Sequence, residues 1–330
     1  MPQGRVRERI DSIDFLKAAA IVSVVMTHSG FNPFNPNATV WDRVLARDWT
    51  WFNVPSFLLV SGFLYFSHEP ASLRDVARRL ARVLIPYVLA TLFMQAVGTT
   101  KVDGLRQSLY QIATATALGP YYYIALISGC TLLLWPLSRL ERGGAAALLA
   151  ALIAYAIAVV FWPGLRFPSS PVWSERNPLE AFALGYFVLG WVAAQHRAKL
   201  APLLAQHRQF IACVASVGVV FWFVSVGRIV NRGLLQLDLV LYSLSVVALI
   251  LGLTHGRRAP RAVRFLSAAT LTIYLYHVAP QAVARAWVLH WPPPLRIGFQ
   301  LALGVGSGCL LVLVGRRVLG AERARRFLGA

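Results

Sequence analysis

Hydrophobic residues run along this chain in ten long blocks, at about 13–31, 49–66, 83–100, 119–137, 145–162, 179–195, 209–227, 233–253, 265–284 and 297–315. Within each block the apolar positions are nearly continuous. They show neither the alternation of a half-buried strand nor the single stripe of a helix lying on a soluble core. A run of ~20 apolar residues is what a helix needs to cross the hydrocarbon of a bilayer. The pattern predicts an all-α, polytopic integral membrane protein with ten transmembrane helices, forming one membrane domain over residues 1–330 with no separate soluble domain. The basic start (Arg5, Arg7, Arg9) followed by apolar residues from Ile13 has the look of a signal peptide. Asp14 and Lys17 interrupt it, however, and the small residues Ala18 to Ala20 precede the apolar core, so an uncleaved first span is expected.

Composition supports this picture and charge orients it. Of the 330 residues, 57% are hydrophobic and only 14% charged, too few to cover a water-soluble domain of this size. The net charge of +19 comes from short connectors. With the N-terminus placed in the cytoplasm, the inside segments carry 21 Lys and Arg against 10 outside. That bias across short loops puts both termini on the cytoplasmic side and requires an even number of spans. No basic stretch is long or aromatic-interleaved enough for nucleic acid. Cys130, Cys213 and Cys309 each sit inside an apolar block with no partner at ligand spacing, so neither a disulfide framework nor a metal site is expected. The proline-rich stretch from Phe161 to Pro178 reads as a stiff connector or a structured lid. The two halves share no motif or loop pattern, which counts against an inverted-repeat transporter.

Ionisable groups at membrane depth are expensive and mark candidate chemistry. Lys17 and His28 both fall in the first block, eleven residues apart. On a helix that spacing puts them on one face, about 16 Å apart along the axis, with Lys17 near the cytoplasmic edge. Arg79 and Arg82 open the third block, three apart and on one helix face. Each of these cations also has a plain reading as an interfacial anchor. Together they make a cationic mouth suited to phosphate groups. His277, flanked by Tyr274 and Tyr276 and followed by Pro280, reaches a depth similar to that of His28. Asp238, Glu180 and Asp14 are the carboxylates in or at the edges of blocks, available to orient a histidine in a relay or to pair at the interface. Ser61 is a further polar contact, although its Ser-Gly pair reads more simply as a close-packing site.

Several segments together resemble the membrane-bound acyltransferase 3 family. The first is I-D-S-I-D-F-L-K-A-A-A-I-V-S-V-V-M-T-H, Ile10 to His28, with a basic residue, ten residues and then histidine. The others are F-N-V-P-S-F-L-L-V-S-G-F (Phe52 to Phe63), R-R-L-A-R-V-L-I-P-Y (Arg78 to Tyr87, with Arg79-x-x-Arg82), Y-F-V-L-G (Tyr186 to Gly190), and the Ser267 to His277 segment ending I-Y-L-Y-H. They occur in order between residue 10 and about 280. Lys17 stands where arginine is commoner. Asn53 stands where some carbohydrate-acetylating members have histidine, and Tyr121 to Leu126 replaces a common Trp-Phe-Leu version; these two departures bear on the acceptor.

The resemblance implies an O-acyltransferase moving an acyl group, usually acetyl, from cytoplasmic acetyl-CoA to a hydroxyl of a carbohydrate or other cell-envelope acceptor. It implies a multi-pass protein of a bacterial inner or plasma membrane, using acetyl-CoA as cosubstrate and no metal. His28 would be catalytic, either as general base or as the acylated group. Lys17, Arg79 and Arg82 would hold the acyl-CoA phosphates, and His277, Asp238, Ser61, Tyr274 and Asp14 are left as relay or acceptor-site candidates. The alternative is a transporter or flippase for a lipid-linked or hydrophobic solute, which explains the spans but not the Lys17–His28 spacing. Oligomeric state, acyl chain length and acceptor identity are not encoded legibly.

Overall fold

The computed structural model describes residues 9–29, 39–66, 72–136, 142–161, 179–229, 235–288 and 290–329. Among these the regular structure is helical, without strands. The helices are α1 (Asp11–Thr27), α2 (Val40–Arg43), α3 (Asn53–Phe66), α4 (Leu73–Ala96), α5 (Leu105–Thr114), α6 (Tyr122–Leu134) and α7 (Arg142–Phe161). They continue with α8 (Leu179–Gln195), α9 (Arg197–Ile229), α10 (Leu235–Thr254), α11 (Arg261–Tyr276), α12 (Val278–Trp287), α13 (Pro293–Leu319) and α14 (Ala321–Leu328). Each of the ten apolar blocks lies on a helix. The proline-rich stretch 162–178 and the side chains of Glu180 and Asp238 lie outside the described residues.

Two described helices are each long and apolar enough to cross a bilayer, Arg197–Val224 and Pro293–Leu319. Two bent pairs reach that length together: Leu105–Thr114 with Gly119–Leu133, bent by 50°, and Arg261–Tyr276 with Val278–Trp287, bent by 64°. Helix α9 shows what surrounds the bundle. It exposes Phe210, Val214, Val217, Phe221 and Val224, three and four residues apart, as one continuous apolar stripe. Water would penalise such a stripe, whereas lipid tails accept it. A kink at His207 separates this stripe from the basic first turns of α9.

Helix α1 is the central element, packed against α3, α10, α11 and α13. Its residues Leu16, Ala20, Ile21 and Val25 are buried almost completely. Helices α3 and α8 pack through reciprocal glycines. A Cβ on Gly62 would lie 1.9 Å from the Phe187 carbonyl oxygen, and one on Gly190 would lie 2.0 Å from that of Leu59. The Ser-Gly-Phe and Y-F-V-L-G segments are therefore two halves of one backbone contact, which only small residues allow.

Three features depart from the sequence pattern. The ninth block breaks at His277 into α11 and α12, and Pro280 supplies the reason. Proline has no N–H for the carbonyl of Tyr276, four residues back, and its ring crowds that carbonyl. Helix α5 precedes the fourth block. Helix α14 folds back along α13, where Leu328 fills the space left by Gly315 and the Leu328 carbonyl accepts from Thr272 Oγ1 at 2.8 Å.

The described part of the connector between α1 and α3, from residue 39, also has a defined fold. Thr39 and Asp42 cap α2 reciprocally, and a π-helical turn, Val44–Asp48, follows. The Asp48 carbonyl accepts from Trp222 Nε1 at 3.0 Å and the Trp49 carbonyl from the Tyr242 hydroxyl at 2.7 Å. Asp42, wholly buried, pairs with Arg296 at 2.5 Å, which joins this connector to the first turn of α13.

Candidate active site

Helices α1 and α11 run side by side in the same direction, and their contacts at the two ends define the site. At the start of α1, Asp14 accepts from Arg9 Nε at 2.5 Å and from Ser267 Oγ at 2.5 Å, while Arg9 Nη2 reaches the Arg264 carbonyl at 3.3 Å. At the other end, the His28 ring lies 5.3 Å from the His277 ring, centroid to centroid, tilted by 40°. The two histidines, which only similar depth connected in the sequence, are thus neighbours. Asp14 is not with them. It belongs to the opposite end, about 21 Å along α1 from His28, where it ties α1 to α11.

His277 is completely buried and sits at the 64° bend. Its Nδ1 lies 2.8 Å from the Tyr274 carbonyl oxygen and 3.1 Å from that of Ile273. Both neighbours can only accept, so Nδ1 carries the hydrogen and Nε2 the lone pair. Nε2 is buried and has no hydrogen-bond partner among the described residues. The ring is thus fixed through one nitrogen, while the other has no partner among the described residues. His28 follows the last residue of α1, half-buried, and is held there by its backbone N–H bonding the Val25 carbonyl at 3.2 Å.

An aromatic wall continues from this pair. Tyr274 lies 6.4 Å from His277 and 5.7 Å from Tyr123, and Tyr123 is 6.0 Å from Phe57, all centroid to centroid. Ser61 Oγ is 3.5 Å from the Tyr123 hydroxyl. The Tyr274 hydroxyl donates to the Pro120 carbonyl and that of Tyr121 to the Leu275 carbonyl, which pins the start of α6 against the end of α11. Ser61, Tyr274, His277 and His28 therefore line one connected region. Asp238 lies on α10, its side chain outside the described residues.

Lys17 lies toward the other end of α1, and Arg79 and Arg82 lie near the start of α4. Asn53 Nδ2 donates to Thr27 Oγ1 at 3.2 Å, so α3 starts beside the end of α1 and runs back along it. Twelve residues later, about 18 Å away, Tyr65 stands level with the start of α1. Arg79 reaches it there, donating to the Tyr65 carbonyl at 2.9 Å with its guanidinium 4.3 Å over the Tyr65 ring. Arg82 is exposed on the same helix. Lys17, half-buried one turn along from Asp14, makes no ion pair with a described residue. Helices α1 and α4 both pack on α11.

Two site residues carried weak signals. Asn53, beside the end of α1, was noted only as a departure from a pattern. Gln281, one turn after His277, was missed; its signal is an amide within an apolar segment just past a histidine and a proline.

A family model described as an acyltransferase domain, acyltransferase 3, matches residues 10–315, nearly the whole chain. The chain belongs to the acyltransferase 3 family. Members are membrane proteins, and membership implies acyltransferase activity, which favours the enzyme over the transporter alternative. Among curated proteins and among solved structures, nothing matches this chain.

Proposed function

We propose that this acyltransferase takes an acetyl group from cytoplasmic acetyl-CoA and transfers it to a hydroxyl of a carbohydrate or other cell-envelope acceptor. The observation that carries this reading is the pairing of His28 with His277 at one end of α1, with Lys17 toward the other end of the same helix. Ten crossings with both termini in the cytoplasm, the orientation favoured by the charge bias, put the cation end on the side where CoA is found. Lys17, Arg79 and Arg82 bind its phosphates as charge-assisted donors. The pantetheine arm then follows α1 for about 16 Å to bring the thioester to His28.

Two roles for His28 fit this geometry. As general base it removes the acceptor hydroxyl proton while the oxygen attacks the thioester carbonyl; the C–S bond breaks and CoA leaves as thiolate to be protonated. As nucleophile its ring nitrogen attacks the thioester carbonyl, the C–S bond breaks and CoA leaves as thiolate; the acceptor hydroxyl then attacks the acetyl-imidazole, the C–N bond breaks to restore His28, and the hydroxyl proton passes to a base beside it. In both, His277 Nε2 is an acceptor for a proton donor beside His28, either the incoming hydroxyl or the His28 N–H. The complete burial of His277 keeps bulk water from that side of the pair, which limits hydrolysis of the thioester.

Membranes carrying the chain, given radiolabelled acetyl-CoA, are expected to move label into a glycan or other envelope fraction. Label that stays entirely on CoA would defeat the reading. Arg82→Gln is the cleaner probe of the donor end, because Arg82 is exposed whereas Arg79 also holds α3. A charged hydrogen bond is worth ~1.5–3 kcal/mol, so Arg82→Gln should raise the apparent KM for acetyl-CoA by about tenfold or more with kcat little changed. An unaltered KM would reduce Arg82 to a topology anchor.

A further inference from the structure

Gln281 is 1% exposed, on α12 one turn past His277. Its Nε2 lies 2.9 Å from Ser29 Oγ, 3.1 Å from the Val25 carbonyl and 3.2 Å from the Gln300 carbonyl. Two of those partners flank His28, one three residues before it and one immediately after. The grip is closed by Ser29 Oγ, which itself donates to the Val25 carbonyl at 2.7 Å. The third partner is on α13. A single buried amide thus ties the end of α1 to α12 and α13 at the point where the two histidines meet.

The surroundings are shaped for this amide. A Cβ on Gly304, one turn along α13 from Gln300, would fall 2.6 Å from Val25 Cγ1 and 3.0 Å from Gln281 Nε2. Glycine at 304 makes the room that Gln281 and Val25 occupy. The amide also carries a penalty, since its Oε1 is buried with no partner among the described residues. An unpaired buried acceptor destabilises by ~1–3 kcal/mol, and methionine would fill nearly the same volume without it. Stability alone therefore gives little reason for glutamine here. Positional control gives one. The His28 ring makes no hydrogen bond to a described residue, so its place depends on the backbone that Gln281 holds. His277, by contrast, is fixed through its own Nδ1.

We infer that Gln281 is a positioning residue that sets His28 against His277, acting through the backbone and hydroxyl on either side of His28. This rests on the catalytic reading of His28 given above. A displacement of ~1 Å at a reacting group is enough to lower a rate by ~100-fold, so removing the clamp should slow turnover without touching the donor end.

The test uses full-length protein in membranes, with acetyl-CoA as probe and release of the CoA thiol as readout, normalised to folded protein. Gln281→Met is expected to lower kcat at least tenfold, with the apparent KM for acetyl-CoA within twofold of wild type and Tm not reduced. Gly304→Ala, which keeps the amide but crowds it, should lower kcat in the same way. Gln281→Met combined with His28→Ala should be no slower than His28→Ala alone, because the clamp acts only through His28. A Gln281→Met rate within twofold of wild type would overturn the inference. So would a fall in kcat that only tracks a fall in Tm, or a further loss in the double variant. If Gln281→Met does not fold, Ser29→Ala removes one arm of the clamp and must still lower kcat with KM unchanged. The two readings separate cleanly: an active His28→Ala protein removes the catalytic assignment, whereas an inactive His28→Ala with a normal Gln281→Met removes only the positioning role.

Discussion

Replacing His28 with alanine is expected to cut acetyl transfer by about 10²- to 10⁴-fold, the usual contribution of a positioned general base, while the protein still inserts and folds. The fold should survive because His28 follows the last turn of α1 and is half-buried, and because the contacts that fix this end of the helix are made by Thr27, Ser29 and Val25. The measurement is turnover of radiolabelled acetyl-CoA by membranes containing equal amounts of wild-type and variant protein. Acylation at the normal rate would show that the imidazole has no part in the reaction. Trapping experiments then separate the two roles of His28: an acetylated protein isolated after a brief pulse of donor without acceptor supports covalent transfer, and its absence supports base catalysis.

The second large effect is on stability. Arg296 and Asp42 form an ion pair with side chains 5% and 0% exposed, 2.5 Å apart. Arg296→Met leaves the Asp42 carboxylate buried and without this partner, a change that destabilises by ~3–5 kcal/mol in comparable sites. Restoring neutrality with Asp42→Leu in the same chain should recover most of the loss, because burying the pair is itself costly. Thermal unfolding of the detergent-solubilised protein reads both. Equal stability of wild type and Arg296→Met would mean that the pair is not what holds the connector down. The pair also carries a pH signature. Burial pushes the Asp42 carboxyl up, but the Thr39 hydroxyl and the Arg296 guanidinium outweigh it and hold the group below its ordinary value. A carboxylate depressed in the folded state stabilises fully above its unfolded value of ~4 and loses that contribution as pH falls through the folded value. The wild-type advantage over Asp42→Asn should therefore be constant at neutral pH and vanish in acid.

How much of this was legible in the sequence follows from the range of the interactions. The Lys17–His28 relation was readable because it lies within one straight helix, where spacing fixes both face and distance. The reciprocal contact of Gly62 and Gly190 was half readable: the Ser-Gly pair announced a close approach at Gly62, but nothing named Gly190 as its partner. His277 was found by chemistry, as a histidine at depth. Its neighbour was a matter of how α1 and α11 pack, and the bend that frees its Nε2 depends on Pro280, which was seen without its effect being drawn. Asp42 and Arg296 are 254 residues apart, and no local pattern links them. Gln281 escaped because one amide in an apolar segment resembles any interhelical contact until its three acceptors are known. Asp14 suits a relay or an interfacial pair by sequence, and the use the structure gives it depends on packing between helices. Ser267, on another helix, supplies that use.

The fastening of α1 to α11 at its foot and to α12 and α13 at its head has a mechanical consequence. A rod fastened to its neighbour by a carboxylate network at its foot, and braced at its head by Gln281, cannot swing or slide during turnover without breaking buried bonds. On the proposed function, admission of a nucleotide-sized donor falls to the walls that lean on this frame rather than to the frame itself. On the proposed reading, helices α4 and α14 are such walls: α4 meets α11 through Phe93 on Tyr276, α14 through the bond from Thr272 Oγ1, and apolar side chains pack around both.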